Sequence, residues 1–343
     1  MQTSSAFGRP FDSAFFMDHA GGGVMNSSSK RLVYRKKEYI ACILFLLAAL
    51  SVGAVFLFFM IWKEFSLPVR PNVLFIVSDD LGARIGPSGY SGVRTPVLDQ
   101  LAAEAMTFRR AYCQYPLTGP SRASFLSGLY PEFIKVLSST NEIFSTDFRP
   151  PSLPGVFRQA GYWTAAAGKV FPNLLDNPNG DTWDVTVGFD NNRGPMSSAS
   201  ARRGSQARGT SLEGLPDEEY NDGKNAHTVA TWLLTKAYGD KPFMIACGFH
   251  KPCIPFVAPQ AYFDLYPKQS LVFTLDPEDD WNDIPAVAQT KQYKDFGFPN
   301  LGKENLDQRR ELIRAYYACI SFMDAQLGVV LGALKKSGQW DNT

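Results

Sequence analysis

Three stretches of this chain are apolar almost without alternation: Asn72–Ser78 (Asn-Val-Leu-Phe-Ile-Val-Ser), Tyr162–Ala167 and Pro242–Gly248. A strand that faces water on one side alternates apolar and polar residues. One that does not alternate is buried on both faces, as in a parallel sheet covered by helices. Helical patterns separate the three. Thr95–Thr107 opens on a threonine cap with proline at the first helical position, and Val97, Leu98, Leu101 and Ala105 follow at helical spacing. Pro154–Ala160 and Ala226–Ala237 read as further helices. Arg309–Lys335 is the longest, with Leu312, Ala315, Tyr316, Cys319, Ile320, Met323, Leu327 and Val330 on one face. Strands that alternate with helices in this way predict an α/β sandwich. Asn173–Pro216, dense in Gly, Asn, Ser and Arg, reads as a long loop, and the proline-rich Val257–Asn300 as irregular surface.

Asp79 and Asp80 follow the first strand at once. The C-terminal ends of such strands are where open α/β sheets bind ligands. Two adjacent carboxylates repel, so either solvent in a turn or a hard divalent cation must balance them. The stretch Leu117–Gly128 reads as a turn that feeds a helix: Gly119 and Pro120 set the turn, Ser121 caps, and Arg122 stands where the helix begins. Thr118 with an arginine four residues on suits either a plain helix start or an oxyanion-binding arrangement.

A net charge of +1 over 343 residues offers no electrostatic footprint for nucleic acid, and 45% hydrophobic residues suffice for a large core. Residues 1–38 read as a disordered tail. Tyr39–Trp62 is a run of 24 residues without a charge. As a helix it is about 36 Å long, enough for a bilayer core of roughly 30 Å. Lys30, Arg31, Arg35, Lys36 and Lys37 precede it, whereas Lys63, Glu64 and Arg70 follow. Residues 39–62 therefore read as a signal anchor with the tail in the cytosol, a short linker over 63–70, and a domain on the lumenal or extracellular side, a single-pass type II arrangement. There Cys113, Cys247, Cys253 and Cys319 permit three complete pairings or four buried thiols. The lone Asn-x-Ser/Thr site is Asn26, in the tail.

Five stretches (Asn72–Asp80, Thr95–Ala102, Thr118–Gly128, Gly161–Phe171 and Pro242–Phe256) resemble, in order, the sulfatases of the alkaline phosphatase-like superfamily, and the iduronate-2-sulfatase branch in particular. Arg309–Leu334 adds a weaker sixth. The resemblance implies an alkaline phosphatase-like sandwich, with a mostly parallel mixed sheet between helical layers and a metal site at the strand ends. It implies a hydrolase of sulfate esters acting on a sulfated small molecule or glycan, with Ca²⁺ as the divalent cation, and it leaves the oligomeric state open. Asp79, Asp80 and Thr118 fall on metal-ligand positions. Arg122 falls on the arginine that steadies the nucleophile, Lys169 on the sulfate-binding lysine, and His250 on the first histidine of a His-Lys-Pro-His stretch.

Three departures accompany the match. Thr118 stands where the family's Cys-x-Pro-Ser-Arg motif has the cysteine that becomes formylglycine. Threonine carries a methyl group on Cβ and cannot give an aldehyde, so formylglycine is not expected; Cys113 is five residues too early to replace it. Cys253 takes the place of the second histidine of His-Lys-Pro-His, and Pro172 that of another. The resemblance also implies that 71–343 is the N-terminal catalytic domain of the family, truncated before the strand that carries a second metal pair, Asp-His or Asp-Asn. Besides the hydrolase, two further readings follow. One is a non-enzymatic pseudo-sulfatase with a binding or scaffold role. The other is a phosphodiesterase in which Thr118 itself attacks, although His19, His227 and His250 are few for the two zinc ions of that branch.

Overall fold

The computed structural model describes residues 27–65, 70–138, 151–171, 182–188, 208–209, 215–272, 277, 279–280, 282–288 and 306–343. The chain divides into two compact units, residues 1–69 and 70–343. In the first, helix α1 spans Ser27–Phe65. It therefore begins ahead of the uncharged run, within residues assigned to the tail, where lysine and arginine are themselves good helix formers. Its described side chains, residues 35–59, are exposed all round. Arg35–Phe59 is long and apolar enough to cross a membrane.

The second unit is built on a sheet of β1 (Val73–Asp79), β2 (Trp163–Gly168), β3 (Val185–Val187) and β5 (Phe243–Pro252), in the order β1-β5-β2-β3. Every pairing in it is parallel. A two-residue bridge joins β4 (Arg208–Gly209) to β6 (Phe256–Val257). Side chains alternate between two cores. Phe243, Ile245, Cys247 and Phe249 of β5, with Ala165 and Ala167 of β2, pack against helices α6 (Asn221–Leu234) and α8 (Leu306–Lys336). Met244, Ala246 and Ala166 point the other way. They meet Ala123 and Leu126 of α3 (Thr118–Ser127), Ile134 of α4 (Pro131–Ile134), and Leu153 and Phe157 of α5 (Leu153–Gln159). Cover on both faces is why the strands lack alternation.

Sequence and structure differ in instructive places. Helix α2 is Pro96–Glu104, and Thr95 does not cap it through its side chain. The Asp324 carboxylate of α8 does so instead, accepting from the N–H groups of Val97 and Leu98 at 3.0 and 2.8 Å. Within the stretch expected as loop, β3 adds a strand, tied to β2 by Asp184, whose Oδ2 accepts from the Thr164 N–H at 2.9 Å. The rest of that stretch lies largely outside the described residues, as does part of Val257–Asn300, where α7 (Gln260–Asp264) forms a single turn. The strand expected to end at Gly248 runs on to Pro252. The cysteines are unpaired: Cys247 and Cys319 are buried thiols, Cys253 is half-buried and Cys113 exposed.

Two glycines set how closely the strand ends approach. Gly168 has φ +77°, and a Cβ there would lie 2.2 Å from the Asn225 Nδ2 atom. A Cβ on Gly248 would lie 2.1 Å from the carbonyl carbon of Lys169. Gly248→Ala should therefore destabilise the fold by about 1–3 kcal/mol through overpacking against backbone, read as a lower midpoint in denaturant unfolding.

Candidate functional site

The residues picked out by the sequence converge on the C-terminal ends of β1, β2 and β5. Asp79 is the last residue of β1 and is buried, 6% exposed. Its Oδ1 accepts from Arg122 Nη2 at 3.0 Å, and its Oδ2 forms an ion pair with Lys169 Nζ. Burial alone would push this carboxyl up, but the Arg122 and Lys169 cations outweigh it and hold Asp79 below the usual carboxylate range. Arg122 also donates to the carbonyls of Lys169 and, at 2.7 Å, Val170. One guanidinium thus fastens the end of β1 to the turn after β2, a use of its planar fork that lysine could not reproduce.

Helix α3 delivers that guanidinium. Its N-cap is Leu117, so Thr118, Gly119 and Pro120 form its first turn, and Ser121 lies inside the helix with its N–H bonded to the Leu117 carbonyl. The expected cap at Ser121 is therefore corrected to Leu117. Proline is tolerated in the first turn, because its missing N–H would have had no intrahelical partner. Thr118 and Arg122, four residues apart, share one face of the helix. Thr118 is half-buried and Arg122 buried.

Asp80 begins the loop with φ 60°, a left-handed conformation that aspartate tolerates better than most residues. The Tyr316 hydroxyl of α8 donates to the Asp80 carbonyl at 2.9 Å and accepts from the Gly82 N–H at 3.0 Å, which holds the loop in place. Side-chain ligand atoms of Asp79, Asp80 and Cys253 lie within 4.8 Å of one another. The two carboxylates suit a hard divalent cation. The thiol, a soft donor, does not; burial, a hydrogen bond to Asp80 and the nearby carboxylates push Cys253 up.

His250 and Lys251 stand at the end of β5, where the register against β1 shifts between Ser78 and Asp79. His250 is 2% exposed and bonds through Nδ1 to Oδ1 of Asp222 at 3.1 Å. Lys251 does not reach Asp79; its Nζ donates to the Pro255 carbonyl at 2.6 Å. Asp222 escaped sequence reasoning, since an aspartate in the first turn of a helix is an ordinary dipole-favoured residue. Cys253 was visible as a departure from a motif, not as a neighbour of both aspartates. Pro172 lies outside the described residues.

A family model described as sulfatase matches residues 71–343. The chain belongs to the sulfatase family. A sulfatase of Formosa agariphila is 34% identical over 80% of this chain and 57% of its own length. Human iduronate 2-sulfatase is 30% identical over 77% of this chain and 51% of its own. The chain thus spans a little over half the length of these family members. Among solved structures, a phosphonate monoester hydrolase of Agrobacterium radiobacter superposes with a TM-score of 0.59 at 22% identity, covering 80% of this chain and 61% of that one. A 2-O GAG sulfatase gives 0.56 at 21%, with 80% and 56% covered. These two likenesses establish the fold, the α/β sandwich with a parallel sheet.

Removing Arg122 leaves the buried Asp79 with one cation and two carbonyls without their donor. Arg122→Ala should cost about 3–5 kcal/mol of stability, seen as a lower melting temperature of the globular unit.

Proposed function

We propose that residues 71–343 form the sulfate-ester site of a membrane-anchored, sulfatase-family hydrolase that acts on sulfated sugars. The observation that carries this reading is the pairing of Arg122 and Lys169 on the buried Asp79, one helical turn from Thr118. Such fixed cations in a site sheltered from water stabilise the charge of a transferring oxyanion strongly. The names of the relatives, among them iduronate 2-sulfatase and a 2-O GAG sulfatase, support a sulfated sugar as substrate.

The roles we assign follow from position. Lys169 neutralises a sulfate oxygen, and Arg122 holds Asp79 and the turn after β2 in register. His250 meets the sulfate group through the ring nitrogen that faces away from Asp222. Asp79 and Asp80, with the Thr118 hydroxyl, would hold a divalent cation, taken as Ca²⁺ from the family resemblance. That cation, when bound, polarises the sulfate oxygens as a Lewis acid. Three such ligands fall short of the six to eight oxygens Ca²⁺ takes, so the remainder must come from water, substrate or residues outside those described.

Thr118 decides what the site can do. A second reading, attack by the Thr118 hydroxyl on a phosphodiester, is favoured by its place in the first turn of α3 on the face of Arg122. The likeness to a phosphonate monoester hydrolase is consistent with either chemistry on this fold. Thr118→Cys, co-expressed with a formylglycine-generating enzyme, should release alcohol from an aryl sulfate ester much faster than the parent chain does. Continued silence of that variant, alongside metal-dependent phosphodiester cleavage by the parent that Thr118→Ala abolishes, would establish the second reading. Silence on both substrates would leave a binding protein.

The anchor assignment rests on Arg35–Phe59 and the basic residues before it. Translation into sealed microsomes should leave the globular unit protected from added protease, with residues 1–34 removed. Digestion of the globular unit would reverse the proposed orientation.

A further inference from the structure

Asp222 occupies the first turn of the 14-residue helix α6 and is 1% exposed. All its described bonds go to the end of β5. Oδ1 accepts from the His250 N–H at 2.7 Å and is bonded to His250 Nδ1 at 3.1 Å, while Oδ2 accepts from the Lys251 N–H at 2.8 Å. The two backbone bonds have a structural reason. The β5–β2 ladder ends at Gly248, and the register against β1 shifts past Ser78, so these N–H groups leave the sheet and need an acceptor. The bond to Nδ1 has no such reason. A cap for strand N–H groups could be any acceptor, and the imidazole could have turned elsewhere.

We infer that Asp222 is a positioning residue for His250, fixing the ring so that Nδ1 carries its proton toward Asp222 and Nε2 is the nitrogen left for the substrate. The same oxygen holds the main chain and the ring of one residue, which fixes both the backbone and the side-chain rotation. A carboxylate behind a histidine sets its tautomer and strengthens the far nitrogen as a base. The start of α6 suits the charge, because free N–H groups and the helix dipole favour an anion there. One turn on, Asn225 Nδ2 donates to the Gly248 carbonyl at 3.2 Å, so the same helix also grips β5 just before its irregular end. This assignment rests on the proposed sulfate site only for what Nε2 meets.

The test uses the full chain in detergent with ¹⁵N-labelled histidine rings. The chain has three histidines, and His250→Gln assigns the relevant signals by their loss. The expected result is His250 held as the Nδ1–H form in the parent protein. Asp222→Ala should give a mixture of the two tautomers and weaken binding of inorganic sulfate about tenfold, with Asp222→Asn restoring part of both. An Nε2–H ring in the parent protein overturns the inference, whether or not the variants fold. So does an unchanged ring in Asp222→Ala accompanied by a lower melting temperature, because Asp222 is then a backbone cap alone. If the parent ring is Nδ1–H but sulfate does not bind, the positioning role stands and the sulfate-site reading falls.

Discussion

A negative charge at the end of a strand covered on both faces is the constraint on which the site depends. Asp79 cannot be hydrated at 6% exposure, so cations must be brought to it. Arg122 and Lys169 arrive from different elements, one on α3 and one on the turn after β2. The position of α3 is therefore coupled to the register of the sheet. Arg122 strengthens the coupling by donating to the carbonyls of Lys169 and Val170 as well as to Asp79. The two cations balance the buried Asp79, while Asp80 beside it is exposed and keeps its hydration.

The other side of the site depends on α6. Its first two turns hold β5 through Asp222 and Asn225, and the glycines at 168 and 248 let the strand ends come closer than any side chain would allow. Tyr316 then fixes the Asp80 loop from α8. Asp79, Lys169 and His250 thus stand at three strand ends, Thr118 and Arg122 come from α3, and α6 and α8 brace them from the other layer. Precision at such a site comes from these supports as much as from the residues that would touch a substrate.

Much of this was legible beforehand. The three apolar runs became β1, β2 and β5, and the long pattern at the end of the chain became α8. Asp79, Arg122 and Lys169, which the motif resemblance singles out, pair with one another, whereas His250, at the end of β5, pairs with Asp222. The errors share a cause. Local composition favours Thr95 and Ser121 as caps, yet Asp324 serves α2 and Leu117 precedes α3. β3 was hidden in a stretch whose flanks are rich in Gly and Asn, and three residues are too few to register as a period. Asp222 carried no signal, because its partners lie 28 and 29 positions away.

By itself the sequence determined the layers. Strands apolar on both faces require helices above and below, and an uncharged run of 24 residues is long enough as a helix to cross a bilayer core. It also determined the chemistry on offer, including a threonine that no oxidation can turn into an aldehyde. Tertiary structure alone decided how these groups pair. It set two cations on Asp79, turned Lys251 to the Pro255 carbonyl, and placed Asp222 behind His250. The physical reason is that burial makes every unpaired charge costly. Partners are therefore chosen by which groups the closed fold brings within reach, whatever their separation along the chain.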